Sequence, residues 1–148
     1  MAMLTLNDKG STYYGAYSIV LKEASINYRA TAFEENSVKF FQKQSNVRVG
    51  DVDPPGNRST WESRNKLAEA KCYLKVSSST VEDDFPLVLI NPANSTGDDD
   101  FIEVHIFGAI HRSTIEKVVG PVPPKKERFL IKGLERKLAK IGAFLEIR

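Results

Sequence analysis

Apolar and polar residues alternate in two short runs along "YYGAYSIVLKEASINYRATAF". Tyr17, Ile19 and Leu21 take turns with Ser18, Val20 and Lys22, and after a turn near "EASIN" the run "YRATAF" resumes the extended pattern. A period of two places successive side chains on opposite faces, so both runs are predicted strands. "EENSVKFFQKQ" fits a helical turn and a strand edge equally well. "VGDVDPPGNRST", with two prolines and two glycines, interrupts every regular pattern and marks a loop.

Beyond that loop Ser59 and Glu62 have capping-box spacing, and good helix formers run from Lys66 to Lys71. This predicts a helix from about Trp61 to Lys71, passing into a strand through "CYLKVSS". The unbroken apolar run "FPLVLINPA", closed by Pro92, reads as a short buried strand, and "ANSTGDDD" as a turn or loop. Alternation returns from Phe101 to Ile110, with "STIEKVVG" as the expected antiparallel partner. After the stiff "PVPP", Leu130, Leu134, Leu138 and Ile141 recur at helical spacing, with Ile131 widening the stripe. Gly142 is placed to end that helix, and "AFLEIR" to return as a last strand. The sum predicts an α+β chain. It forms a single domain over 1–148, a mostly antiparallel sheet with two main helices packed on it, the second a basic segment over 125–142.

The totals narrow the class without naming an activity. With 148 residues, 41% hydrophobic and 27% charged, the chain is neither disordered nor fibrous, and no apolar run approaches a membrane span. A single cysteine, Cys72, and two histidines leave no disulfide framework and no Cys-based zinc site, so no metal is expected. "MAMLTLNDKG" has no basic region followed by an apolar one. The expectation is a cytoplasmic chain, or one delivered into a target cell by a route without a classical signal peptide. The net charge of +2 conceals an asymmetry. Residues 112–148 hold ten Lys/Arg against four Asp/Glu, and the rest of the chain eleven against fifteen. Such a basic segment suits RNA or an acidic protein partner, and also serves as an ordinary solvated helix face.

Candidate chemistry concentrates on the strand "FIEVHIFG". Ile102, Val104 and Ile106 share one face, and Phe101, Glu103, His105 and Phe107 the other. Two aromatics bracketing a carboxylate and an imidazole suit a partly covered cleft, where both groups act in proton transfer; an edge strand with its polar groups in water is the plainer alternative. A second group, Trp61, Arg64, Ala68 and Lys71, lies along one face of the predicted helix. An indole beside two cations suits a phosphate-bearing ligand, and equally a tryptophan anchor with snorkelling cations. In "NYRATAF", Arg29 inside a strand requires a carboxylate, a carbonyl or a ligand, and Glu103 across the sheet would satisfy it. The hydroxyls of "SSST", Ser77 to Thr80, together with Asn36 and Ser37, are ordinary turn residues.

The order "YYGAYSIVLKEASINYRATAFEENS", "WESRNKLAEAK", "DDFIEVHIFGAI" resembles the C-terminal toxin domains of bacterial polymorphic and contact-delivered systems. Within that set, an early-strand arginine, a serine-rich strand and a late-strand glutamate are similar to the order found in ADP-ribosyltransferases. The matching positions are Arg29, Ser77, Ser78, Ser79 and Glu103. The resemblance implies that Arg29 holds the phosphates of NAD, the serines shape the pocket and Glu103 stabilises an oxocarbenium-like transition state. It also implies a cognate immunity partner. The serine run departs from the usual Ser-Thr-Ser, and His105 stands where a second acidic residue is frequent. Two other expectations follow from the same residues. A metal-independent ribonuclease would use Glu103 and His105 as base and acid, with Arg64, Lys71 and the basic C-terminal segment on phosphate. A non-enzymatic module would bind an acidic protein through the basic helix.

Overall fold

In the computed structural model of the chain, which describes residues 2–8, 10–11, 14–43, 51, 57–90 and 101–148, the alternating runs fall into two sheets rather than one. The strands among the described residues are β1 (Ala2–Met3), β2 (Ser18–Leu21), β3 (Ala30–Phe33), β4 (Arg58–Thr60), β5 (Glu103–Ile106), β6 (Ile115–Gly120) and β7 (Phe144–Ile147). The helices are α1 (Ser37–Lys43), α2 (Arg64–Cys72), α3 (Phe85–Leu89) and α4 (Arg128–Ala139). The class is α+β with antiparallel pairing dominant, and α2 and α4 are the two longer helices.

One sheet has the order β1-β5-β3-β4, all antiparallel, with Phe33 opposite Glu103 and Thr31 opposite His105. The other has the order β2-β6-β7. There β2 and β6 are antiparallel, whereas β6 and β7 run parallel and are joined through α4. Parallel neighbours need such a crossover because a tight turn can only reverse the chain.

Three sequence expectations are corrected here. "STIEKVVG" does not pair with the Glu103 strand. At Gly108 (φ 81) the backbone takes a left-handed conformation, and Arg112–Thr114 forms a 3-10 turn that carries the chain to the second sheet. "FPLVL" is the helix α3, because Glu82, Asp83 and Asp84 precede it and Pro86 sits in its first turn, a combination that starts helices. "CYLKVSS" forms a turn after α2 and no strand, leaving Tyr73 and Leu74 exposed. Most of "VGDVDPPGNRST", and all of "ANSTGDDD", lie outside the described residues.

The main core gathers Ala32, Leu89, Phe101 and Ile102 with Cys72, Val88 and Ile90, and Leu67 and Ala68 of α2 pack against it. Burying side chains such as Leu89 and Phe101 is worth about 1.5–3 kcal/mol each. A second cluster holds Ile26, Ala30, Trp61 and Val104. A third, Val118, Leu138 and Ala143, fastens α4 to the smaller sheet. Gly142 (φ 72) ends α4 in a Schellman turn, in which Ala143 N–H donates to Leu138 O (3.0 Å) and Gly142 N–H to Ala139 O (3.2 Å).

On the second sheet, Lys117 of β6 bonds Glu146 of the neighbouring β7 at 2.9 Å and Asp8 at 2.8 Å. The bond to Asp8, then that to Glu146, holds the ammonium above its ordinary range. The Glu146 carboxyl is held below its own range by Lys117 and then by Arg148. Among the described residues no helix is long and apolar enough to cross a membrane.

Candidate functional site

Strand β5 is interior, flanked by β1 and β3, so its polar residues must find partners inside the fold. On one face Ile102 and Val104 enter the core. On the other, Glu103 is only 5% exposed, and α1 begins against it: Ser37 N–H donates to Glu103 Oε2 at 2.5 Å. Asn36 Oδ1 accepts from Val38 N–H at 2.9 Å, so side chain and carboxylate together satisfy the opening turn of α1. Phe33, opposite Glu103, meets Phe40 edge-to-face at 6.4 Å. This face is therefore covered at its Glu103 end and opens toward Phe107, which is 86% exposed.

His105 stands at the boundary between the two. Its ring stacks on Phe33 at 4.5 Å, its Nε2 lies 3.3 Å from Glu103 Oε1, and 40% of its side chain meets solvent. Glu103 thus fixes the imidazole from beneath while Phe33 fixes its plane. One ring nitrogen is turned to the carboxylate, and the rest of the ring edge meets solvent.

A groove of about 580 Å³ runs along this strand, lined by Glu103, His105 and Phe107 of the β5 segment, Thr31 of β3, Ala2, Arg29 and Ile110. Arg29 is placed differently from the strand-interior position expected. It ends a 3-10 turn, Asn27–Arg29, just before β3. Its Nε donates to Ser25 O at 3.1 Å, and its Nη1 to Phe107 O at 2.5 Å and Ala109 O at 3.1 Å. Arg29 therefore pins the chain leaving β5 and does not pair with Glu103. Among the described residues it has no carboxylate partner.

No protein-family model, curated protein or solved structure matches the chain. The chemistry must be read from the groove's own groups.

Val104 and Ile106 of β5 also line that groove, whereas the serines, Trp61, Arg64 and Lys71 do not. Ser77, Ser78 and Ser79 form an exposed turn closed by Ser77 Oγ to Ser79 Oγ (2.7 Å) and by Ser77 N–H to Thr80 Oγ1 (2.8 Å). Trp61, just before α2, is buried, with its indole N–H on Glu23 Oε1 at 2.8 Å. Arg64 stacks over that indole at 4.3 Å and bonds the same Glu23 oxygen at 2.8 Å. Lys71 donates to the carbonyls of Glu34 and Phe101, tying α2 to the ends of β3 and β5. These contacts account for the tryptophan and its cations as anchors. Asn36 and Ser37, ordinary turn residues by composition, open α1: the Ser37 backbone N–H meets Glu103, and Asn36 Oδ1 accepts from Val38 N–H. The signal was available in "ENSV", an Asx residue immediately before a helical run.

Proposed function

We propose that this groove is the active site of an effector-type enzyme acting on a nucleotide-containing substrate, with NAD-dependent ADP-ribosyl transfer as the reaction. The observation that supports it most is that Arg29 and Glu103, far apart in sequence, line one groove while Arg29 has no carboxylate partner among the described residues. A guanidinium whose acceptors are carbonyls has no counter-charge there, and with Nε and Nη1 on those carbonyls its Nη2 is the donor left for a phosphate oxygen. The volume lies within the roughly 300–1,000 Å³ of small-ligand sites. In this reading Arg29 holds the pyrophosphate, and the ribosyl carbon approaches Glu103, oriented by Ser37 N–H at the covered end of the groove, from the open side. The carboxylate stabilises the positive charge that builds as the bond to nicotinamide breaks. Thr31, beside His105, contributes a hydroxyl to the ribose.

Calorimetry of the protein against NAD, paired with a nicotinamide-release assay, tests this. Saturable binding, weakened in Arg29→Gln, is expected. Glu103→Gln should retain binding and lose release by about 10²-fold or more. Absence of binding and of release would refute the reading.

A second reading is favoured by the Glu103–His105 contact at 3.3 Å, which supplies an oriented imidazole at a groove edge. Metal-independent RNA cleavage needs a base for the 2′-hydroxyl and an acid for the leaving oxygen, and these two groups could share that work with Arg29 on the phosphate. RNA cut in EDTA by the wild type and spared by His105→Ala would select it over the transferase.

A further inference from the structure

Two exposed apolar patches of opposite charge lie outside the groove. The first is on and before α4. Leu138 takes the helix's inner side, while Phe129 is 83%, Val122 70% and Leu130 68% exposed. Lys132 and Arg136, three and seven positions after Phe129, share its side of the helix and are exposed. Among the described residues neither has an ion-pair partner. Gly133, one turn after Phe129, is not required by the fold: a Cβ there would meet nothing within 4 Å. A glycine inside a helix costs about 1 kcal/mol relative to alanine. Here it leaves bare backbone beside Phe129, where another surface can approach closely.

The second patch lies between α2 and α3. Leu74 is 91% exposed, with Tyr73, Val76 and Val81 also exposed, and Glu82 and Asp83 project from the adjoining 3-10 turn. Among the described residues Glu82 and Asp83 have no ion-pair partner. Aromatic and aliphatic groups of this size left in water forgo the roughly 1.5–3 kcal/mol each would gain on burial. Clusters of them rimmed by charge mark interaction surfaces.

We infer that the two patches are halves of one contact, and that the occupant of the basic patch on α4 is the acidic patch of a second copy of this chain. Each offers large apolar groups, and although Lys75 lies in the acidic patch and Glu135 on α4, the exposed Glu82 and Asp83 of one complement the exposed Lys132 and Arg136 of the other. Nucleic acid would use Lys132 and Arg136 but has no use for Val122 and Leu130. An unrelated acidic protein would leave the Leu74 patch uncovered. The contact joins two different surfaces, so every copy has one of each to offer.

Sedimentation velocity on the full chain tests this over a concentration series at about 50 mM and about 500 mM salt. The average mass should exceed the 16.6 kDa of one chain at low salt and fall toward it at high salt. Phe129→Asp and Leu74→Asp lie at exposed positions. Each should raise the dissociation constant at least about tenfold, with unchanged circular dichroism. Mixed together, they should form one-to-one pairs, because Phe129→Asp keeps the acidic patch and Leu74→Asp the basic one. A monomer at every concentration and salt would overturn the inference, as would association indifferent to both substitutions. A mixture that fails to pair would overturn it too.

Discussion

Glu103 is held by the fold and, in the reading above, used by the chemistry, and two substitutions separate those roles. Glu103→Ala leaves Ser37 N–H without its acceptor at 2.5 Å and His105 Nε2 without its neighbour at 3.3 Å. A hydrogen bond to a charged group is worth about 1.5–3 kcal/mol net. A negative charge beside the first residue of α1 adds roughly 0.3–1 kcal/mol. The expected loss is therefore about 2–4 kcal/mol. Glu103→Gln keeps an amide oxygen for Ser37 and an N–H for the imidazole, so it should cost no more than about 1 kcal/mol. Urea unfolding reads both, since a slope of about 2 kcal/mol/M, mid-range for a small domain, converts the alanine loss into a midpoint shift of roughly 1–2 M. If alanine costs under about 0.5 kcal/mol, the carboxylate does not hold α1 against β5, and the geometry of the groove is misread. If glutamine costs as much as alanine, the charge rather than the hydrogen-bonding shape sustains the fold. Glu103→Gln then ceases to be a clean probe of catalysis.

Other substitutions test the frame around the groove. Lys71→Ala removes an ammonium from the carbonyls of Glu34 and Phe101 and should lower the melting temperature by roughly 5–15 °C in calorimetry. Gly120→Ala would place a Cβ 2.1 Å from the Tyr17 ring, so it should destabilise by about 1–3 kcal/mol, and the double variant with Tyr17→Ala should recover part of that in denaturant melts. Glu146, whose pKa is depressed on folding, contributes stability that is present above the ordinary glutamate value of 4.5 and is lost as pH falls through its lower folded value. Urea midpoints from neutral pH to about pH 3 should therefore drop less steeply on the acid side in Lys117→Met than in the wild type, because the larger cause of that depression is gone.

Local signals foretold the elements whose pattern lies within a few consecutive residues. The helical stripe ending at Ile141, with Gly142 after it, gave α4 and its terminating turn, because spacing and a left-handed glycine are read from a few residues. Alternation likewise marked β2, β3, β5 and β6. Pairing was not legible. Nothing in "STIEKVVG" distinguishes β5 from β2 as its neighbour; the glycine and 3-10 turn between them decide it. A short apolar run such as "FPLVL" has no period of its own, and only the acids and proline around its start favour helix. At the site, the pattern of "FIEVHIFG" placed Glu103 and His105 on one face. It could not show that α1 covers one end of that face, or that Arg29 spends two of its nitrogens on carbonyls. Those facts depend on segments that meet only in three dimensions.

The parallel pairing of β6 with β7 has a consequence for the order in which the molecule assembles. Strand β6, helix α4 and strand β7 are contiguous in the chain, and Lys117 meets Phe144 across a modest loop. The groove instead requires Ala2 to find Val104 and Phe33 to find Glu103. Each doubling of loop length adds only about 0.6 kcal/mol of closure entropy, so the longer loops add roughly 1 kcal/mol. That is enough to slow their closure several-fold. During refolding, pulse-labelled amides of β6 and β7 should gain protection before those of β5. The carboxylate, the imidazole and the arginine then come together last, on a scaffold already half built.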